Sequence, residues 1–394
     1  SAFLLNRSSD LEIFGTTYIA LLGGTVIRDI YAACTSGEVV DVFGVGAYNS
    51  ESNPKGFAAS ANAYIQGGTC RNVYGAGWKG NVGSETIDGE THVVIGNKTG
   101  TSFTNGIPAI QRNAYAGGEG ETKNNVTEGS TVFGAANVTL YNGYIGYTYN
   151  EAGTDDPATT DIDEHYQEKI HDETATDYVS DDGIVGKNRL VEAGNIFGSG
   201  YVDHSDVDRS YVTVYGGVVR NSVYGGGEIG CVGRGNKEGS SVTITKGGAT
   251  HVSIYGGLVI GDVFGGGRGY DNLQRVGLLG TAGYIYGTTE VNIHRGRIGT
   301  EASVAEGRGN VFGGGNLGYV YGTSTKSASD GYYYNGSHLS EDCKVVVSPY
   351  VVVTKATTVN GHSYAVGDLV PTEDLNTLSA GDSNWKTDTG GNYL

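Results

Sequence analysis

One five-residue unit, Val/Ile-Tyr/Phe-Gly-x-Gly/Ala, constrains this chain more than any other feature. It occurs seven times: VFGVG at 42–46, VYGAG at 73–77, VFGAA at 132–136, IFGSG at 196–200, VYGGG at 223–227, and VFGGG at 263–267 and 311–315. A second unit is a short alternating strand: VTLY at 138–141, VTVY at 212–215, VTIT at 242–245, VSIY at 252–255 and VNIH at 291–294. The clearest internal match sets 212–227 against 252–267 at an offset of 40, with nine of sixteen residues identical.

In Val-Thr-Val-Tyr, alternation places Val212 and Val214 inside and Thr213 outside. The Gly-Gly that follows permits a sharp corner at positive φ, where a Cβ would clash. Such a strand-corner cycle cannot close a core alone, so its copies must stack on one another. Stacked rungs put like residues in columns, which predicts an aromatic ladder of Phe43, Tyr74, Phe133, Phe197, Tyr224, Phe264 and Phe312. The expected fold is therefore all-β, a parallel β-solenoid (right-handed β-helix) with irregular loop insertions on one side. An antiparallel sandwich, whose hairpin turns also use glycine, is the rival.

Composition narrows the function. The chain has 394 residues, 68 of them Gly but only 5 Pro, and no Gly-X-Y register, so collagen is excluded. Only 17% of residues are charged and 28 are Tyr, which suits a packed chain rather than a disordered one. The net charge of −18 disfavours a phosphate-gripping surface, so nucleic acid is not expected as a partner. No run approaches 18 apolar residues, so no membrane span is expected. With no Met in the sequence, Ser1 reads as the start of a processed or excised fragment. Cys34, Cys70, Cys231 and Cys343 form no CxxC pair; buried thiols are favoured over any of three disulfide connectivities.

Irregular spacing of the unit implies insertions, read at 47–66, 97–130 and 151–182. The last carries twelve Asp/Glu and one Lys, a net −11. Its Ile162, Tyr166 and Ile170 predict one short amphipathic helix. The division expected is 1–22 as an N-terminal cap or lead-in, 23–344 as the solenoid, and 345–394 as a strand-rich cap or the start of a further segment. Candidate binding residues are Asp155, Asp156, Asp161, Asp163, Glu164, Asp181 and Asp182, with Tyr147 and Tyr149 beside them.

Chemistry-bearing motifs are sparse. Gly-x-Gly-x-x-Gly at 75–80, 225–230 and 313–318 lacks a following helical period and belongs to the repeat. Calcium enters only as a structural ion, on Asp203, Asp206, Asp208 or Asp271, and no other cofactor is expected; GGRGYDNL at 266–273 matches a single copy of the β-roll consensus. His165, Glu168 and His171 do not share a helix face, so they make no zinc motif. No Asp-Asp pair lies on a repeat strand, which argues against a glycan-cleaving β-helix enzyme.

The recurring VYGGG, VFGGGN and VTVYGG units resemble glycine-rich repeat proteins that Gram-negative gut commensals display or secrete. TTVNGHSYAVGDLVPTEDLNTL at 357–378 resembles a segment of the same proteins. The resemblance covers most of 23–378 and implies export, often by the type IX route, to the extracellular space or outer cell surface. It supplies no catalytic residues. The expectation is a non-catalytic binding module that captures a host-derived protein or adheres to a host surface, an extracellular protein or glycan being the partner. The acidic insertion favours a basic secreted protein, such as a protease, over an acidic glycan. The alternative is a structural stalk or fibre subunit.

Overall fold

The alternating Val-x-Val segments become the long strands of a parallel sheet. The computed structural model describes residues 12–40, 59–98, 107–146, 194–269 and 283–322, apart from a few single residues and pairs, and short strands out to Val370. Each coil runs through a long strand, a two-residue middle strand, a two-residue aromatic strand and a glycine-rich loop. The long strands are Thr16–Leu21, Ala59–Ile65, Gly89–Ile95, Val132–Leu140, Val207–Val214, Gly248–Ile254, Gly287–Ile293 and Cys343–Val347. Each pairs in parallel with its counterpart in the next coil. The middle and aromatic sheets have seven strands each. A fourth column, Val82, Val132, Val207, Val232, Ile285 and Val320, closes the coil. The chain is a parallel β-solenoid.

The offset of 40 holds in all three sheets: Val212 faces Val252, Val218 faces Leu258, and Tyr224 faces Phe264. Val212 and Val214 are buried and belong to one aliphatic core that runs the length of the stack. Its columns stay chemically constant; one reads Ile65, Ile95, Leu140, Val214, Ile254, Ile293. Burying each such side chain contributes about 1.5–3 kcal/mol. The corner after the long strand uses positive φ, as at Gly217 (80°) and Gly257 (79°). At Gly225 and Gly265 the reason is proximity: a Cβ would run into the carbonyl of the next coil's Gly265 or Gly313.

Several sequence expectations need correction. The stretch 47–66 contains a rung, because Ala59, Ala61, Ala63 and Ile65 alternate inward and are fully buried. Two more strands, Ala109–Ile110 and Ala114–Tyr115, lie within 97–130. Alanine fills an inward column without looking hydrophobic enough to announce a strand. VTIT at 242–245 is not a rung; it lies in an antiparallel hairpin, Arg234–Glu238 with Ser241–Lys246. Insertions do not share one side. The hairpin Glu121–Lys123/Val126–Glu128 follows an aromatic strand, 147–193 interrupts the chain between a middle and an aromatic strand, and 234–246 precedes a long strand. Stacking also begins earlier than residue 23, at Glu12–Phe14 and Thr16–Leu21, and its last strand reaches Val347. The helix expected at 162–170 lies outside the described residues.

Candidate functional site

The aromatic column exists, with altered membership. Tyr31, Tyr74, Tyr115, Phe197, Tyr224, Phe264 and Phe312 stack with ring centroids 4.7–5.0 Å apart and planes within 12°. Rings left to themselves favour offset or edge-on pairs. Near-parallel stacking at this distance follows from the spacing of parallel strands, about 4.8 Å. Phe133 is not a member. VFGAA at 132–136 runs straight into a long strand instead of turning, which leaves Phe133 beneath the Arg234 guanidinium, 4.4 Å from its ring centroid. AYAGG at 114–118 and IYAAC at 30–34 supply the missing members. Phe43 lies outside the described residues.

Beside the rings runs a polar ladder that the sequence reading missed. The residue two before each ring is Asp29, Asn72, Asn113, Asn195, Ser222, Asp262 or Asn310. Each side-chain oxygen accepts the backbone N–H of its counterpart one coil on: Asp29 from Asn72 (3.1 Å), Asn72 from Asn113 (3.0 Å), Asn113 from Asn195 (2.9 Å) and Asn195 from Ser222 (3.1 Å). Ser222 Oγ then accepts from Asp262 (3.1 Å), and Asp262 from Asn310 (2.8 Å). The ladder satisfies corner amides that have no strand partner. A third series crosses the core, where Thr91, Ser210, Thr250 and Thr289 donate hydroxyl protons to the carbonyls of Ala116, Gly225, Gly265 and Gly313 at 2.5–2.6 Å.

The buried acids are held by protein partners. Arg71 grips Asp29 through two guanidinium nitrogens, Nε at 2.8 Å and Nη2. Glu228 accepts from Tyr115 Oη at 2.5 Å and Arg268 Nη1 at 3.1 Å. Tyr31 Oη bonds Glu119, whose carboxyl burial pushes up to about 7 against the opposing pull of that bond and of nearby Arg71 and Arg28. The carboxylate of Asp208, one of the calcium candidates, is bound by Arg234 (2.8 Å) and Lys246 (2.5 Å), so it anchors the 234–246 hairpin. Asp206 accepts the Cys231 amide at 2.7 Å. Asp206 and Asp208 thus both contact protein groups; Asp203 and Asp271 lie outside the described residues. No three His, Cys, Asp or Glu side chains converge as metal ligands among the described residues. Cys70 and Cys231 are buried, and burial pushes the Cys70 thiol up.

The surface offers a different material. On the outer face of the long sheet, Tyr141, Tyr215 and Tyr255 stack at 5.0–5.1 Å, with the buried His294 4.3 Å beyond Tyr255, and Tyr211 stacks on His251 at 5.0 Å. Each interior ring covers its neighbours' faces, so this stripe presents ring edges rather than the open faces on which a sugar would stack. The candidate binding residues Asp155, Asp156, Asp161, Asp163, Glu164, Asp181, Asp182, Tyr147 and Tyr149 lie outside the described residues. Their attachment is described: Tyr144–Ile145 and Ile196–Phe197, on either side of the segment, occupy successive sheets of one coil. The molecule is a parallel β-solenoid with insertions carried at several corners. No family model, curated protein or solved structure matches the chain.

Proposed function

We propose that this chain is a non-catalytic binding module, exported and surface-associated, whose stacked core presents insertions to a partner protein. The supporting observation is how the core treats its longest interruption. Ile145 pairs with Ile110 and Val219, and Phe197 with Tyr115 and Tyr224, without loss of register across 147–193. A scaffold that holds its columns on both sides of a strongly acidic segment is suited to displaying that segment. With a net −11 over 151–182, the segment favours a cationic protein, such as a basic secreted protease of the host. A glycan-cleaving role would call for carboxylates grouped on an open face. The buried acids instead close onto Arg, Lys and Tyr.

The test is affinity capture from gut secretions using the full chain and a variant lacking 151–182. The expected result is a basic protein retained by the full chain, lost with the deletion and released by raised salt. Equal recovery by both baits would overturn the assignment to this loop. A second reading, a structural stalk or fibre subunit, draws on the strands Thr16–Leu21 and Cys343–Val347, each of which pairs on one edge only among the described residues.

A further inference from the structure

The part of the solenoid before 147–193 and the part after it meet in a stepped joint. In the long and middle sheets they meet at Val132–Leu140 against Val207–Val214 and at Tyr144–Ile145 against Val218–Val219. In the aromatic sheet they meet one coil earlier, at Ala114–Tyr115 against Ile196–Phe197. The interrupted coil is therefore built from both parts, its long and middle strands from the first and its aromatic strand from the second. Gly146 and Gly194, which flank the segment, lie so close that a Cβ on the first would meet the Cα of the second at 2.5 Å.

The contacts across the step are those of a core. Leu140, Ile145 and Tyr115 on one side and Val214, Val219 and Phe197 on the other are all buried, and the rings of Tyr115 and Phe197 stack at 5.0 Å. Backbone amides cross in both directions. Ala114 and Ala116 donate to the Asn195 and Phe197 carbonyls at 3.0 and 2.9 Å, while Tyr215, Val218 and Arg220 donate to Leu140, Gly143 and Ile145 at 2.8–3.0 Å. The buried Ser205 donates its hydroxyl proton to the Glu119 carbonyl at 2.8 Å and accepts the Ser130 amide at 3.3 Å. Glu228 reaches past the interrupted coil to accept from Tyr115 Oη at 2.5 Å. An interface of this kind, a core divided in two, is typical of permanent complexes.

We propose that this joint holds the solenoid together without the covalent link, so that proteolytic cutting within 147–193 leaves a two-chain molecule with both parts in register. The cut consumes one water and leaves a carboxylate on the first chain and an amine on the second. The strand ladders, the ring stack and the Glu228 staple do not run through the bond that breaks. A protease that cuts the insertion therefore does not detach either arm of it from the scaffold. This holds whatever the insertion binds.

The test uses the full chain with a specific-protease recognition sequence placed within 151–182 and cut after folding. Denaturing gels should show two pieces. Sedimentation velocity at micromolar concentration should show one species with the sedimentation coefficient of the uncut protein, and circular dichroism should be unchanged. Unfolding the cut form separates two chains, so its melting temperature should fall on dilution while that of the uncut form stays constant. Tyr115→Phe removes the staple and keeps the ring; in the cut protein it should speed exchange with a labelled N-terminal piece at least about tenfold. Two sedimenting species after cutting, or loss of the β-sheet signal, overturns the proposal. An exchange rate that Tyr115→Phe leaves unchanged overturns the part assigned to Glu228.

Discussion

The two halves of the aromatic column solve one packing problem differently. In the N-terminal half, Tyr31, Tyr74 and Tyr115 carry hydroxyls that must be satisfied once buried, and Tyr31 and Tyr115 reach Glu119 and Glu228 contributed by loops of later coils. In the C-terminal half, Phe197, Phe264 and Phe312 carry none, and those coils are held by stacking, by glycines at the corners, by the hydroxyl bridges from Thr250 and Thr289 and by the Glu228–Arg268 ion pair. Tyr224 is the exception there. The contrast shows how a stack can be stapled or merely piled. A staple ties non-adjacent coils together, whereas ring stacking couples only neighbours.

The sharpest way to break the piled half is to remove a ring. Phe197→Ala should cost about 3–5 kcal/mol, since the side chain is fully buried between Tyr115 and Tyr224. Phe312→Ala, at the exposed end of the same column, should cost no more than about 1 kcal/mol. Urea unfolding of both variants at low protein concentration measures the difference; equal costs would mean that the ladder is not a continuous core. For the Glu228 staple, Glu228→Ala should cost about 3 kcal/mol, because it removes the carboxylate that pairs with the buried Arg268 guanidinium. Glu228→Gln, which keeps an acceptor, should lose less. If the double variant Glu228→Ala, Arg268→Ala is as unstable as Glu228→Ala alone, the unpaired charge is not the source of the loss.

These staples account for much of what the sequence hid. The parallel stack was readable from VTVYGG and VFGGG because hydrophobic alternation and paired glycines are local signals. The membership of the ladder was not. Tyr115 follows Ala114 rather than Val, while Phe133 sits in a matching VFG unit but continues into a strand. The better signature is the polar residue two positions before each ring, from Asp29 to Asn310, which marks the corner where an amide needs an acceptor. Phe133 has Thr131 there, and Thr131 Oγ1 donates to the His204 carbonyl instead of joining the ladder. The rung at 59–65 was hidden by its alanines. The partners of Glu119 and Glu228, 88 and 113 residues away along the chain, leave no local trace at all.

The finest distinction between the halves is a pH effect at Glu119 in the stapled one. Burial holds the Glu119 carboxyl at about 7, above the ordinary carboxylate value near 4.5. Between those values the folded chain binds a proton that the unfolded chain has released, so the contribution of Glu119 is fully present below about pH 4.5 and declines as pH rises through 7. At pH 8 the charged carboxylate should cost the fold up to about 3 kcal/mol relative to acid conditions. Glu119→Gln should remove that dependence, stabilising the protein at pH 8 while changing little at pH 5. Melting temperatures of the two proteins at pH 5 and pH 8 read the effect as an interaction between substitution and pH. A Glu119→Gln melting curve shifted equally at both pH values would show that the Tyr31–Glu119 contact is a plain hydrogen bond, and the N-terminal half of the column would then differ from the other half in geometry but not in its response to acid.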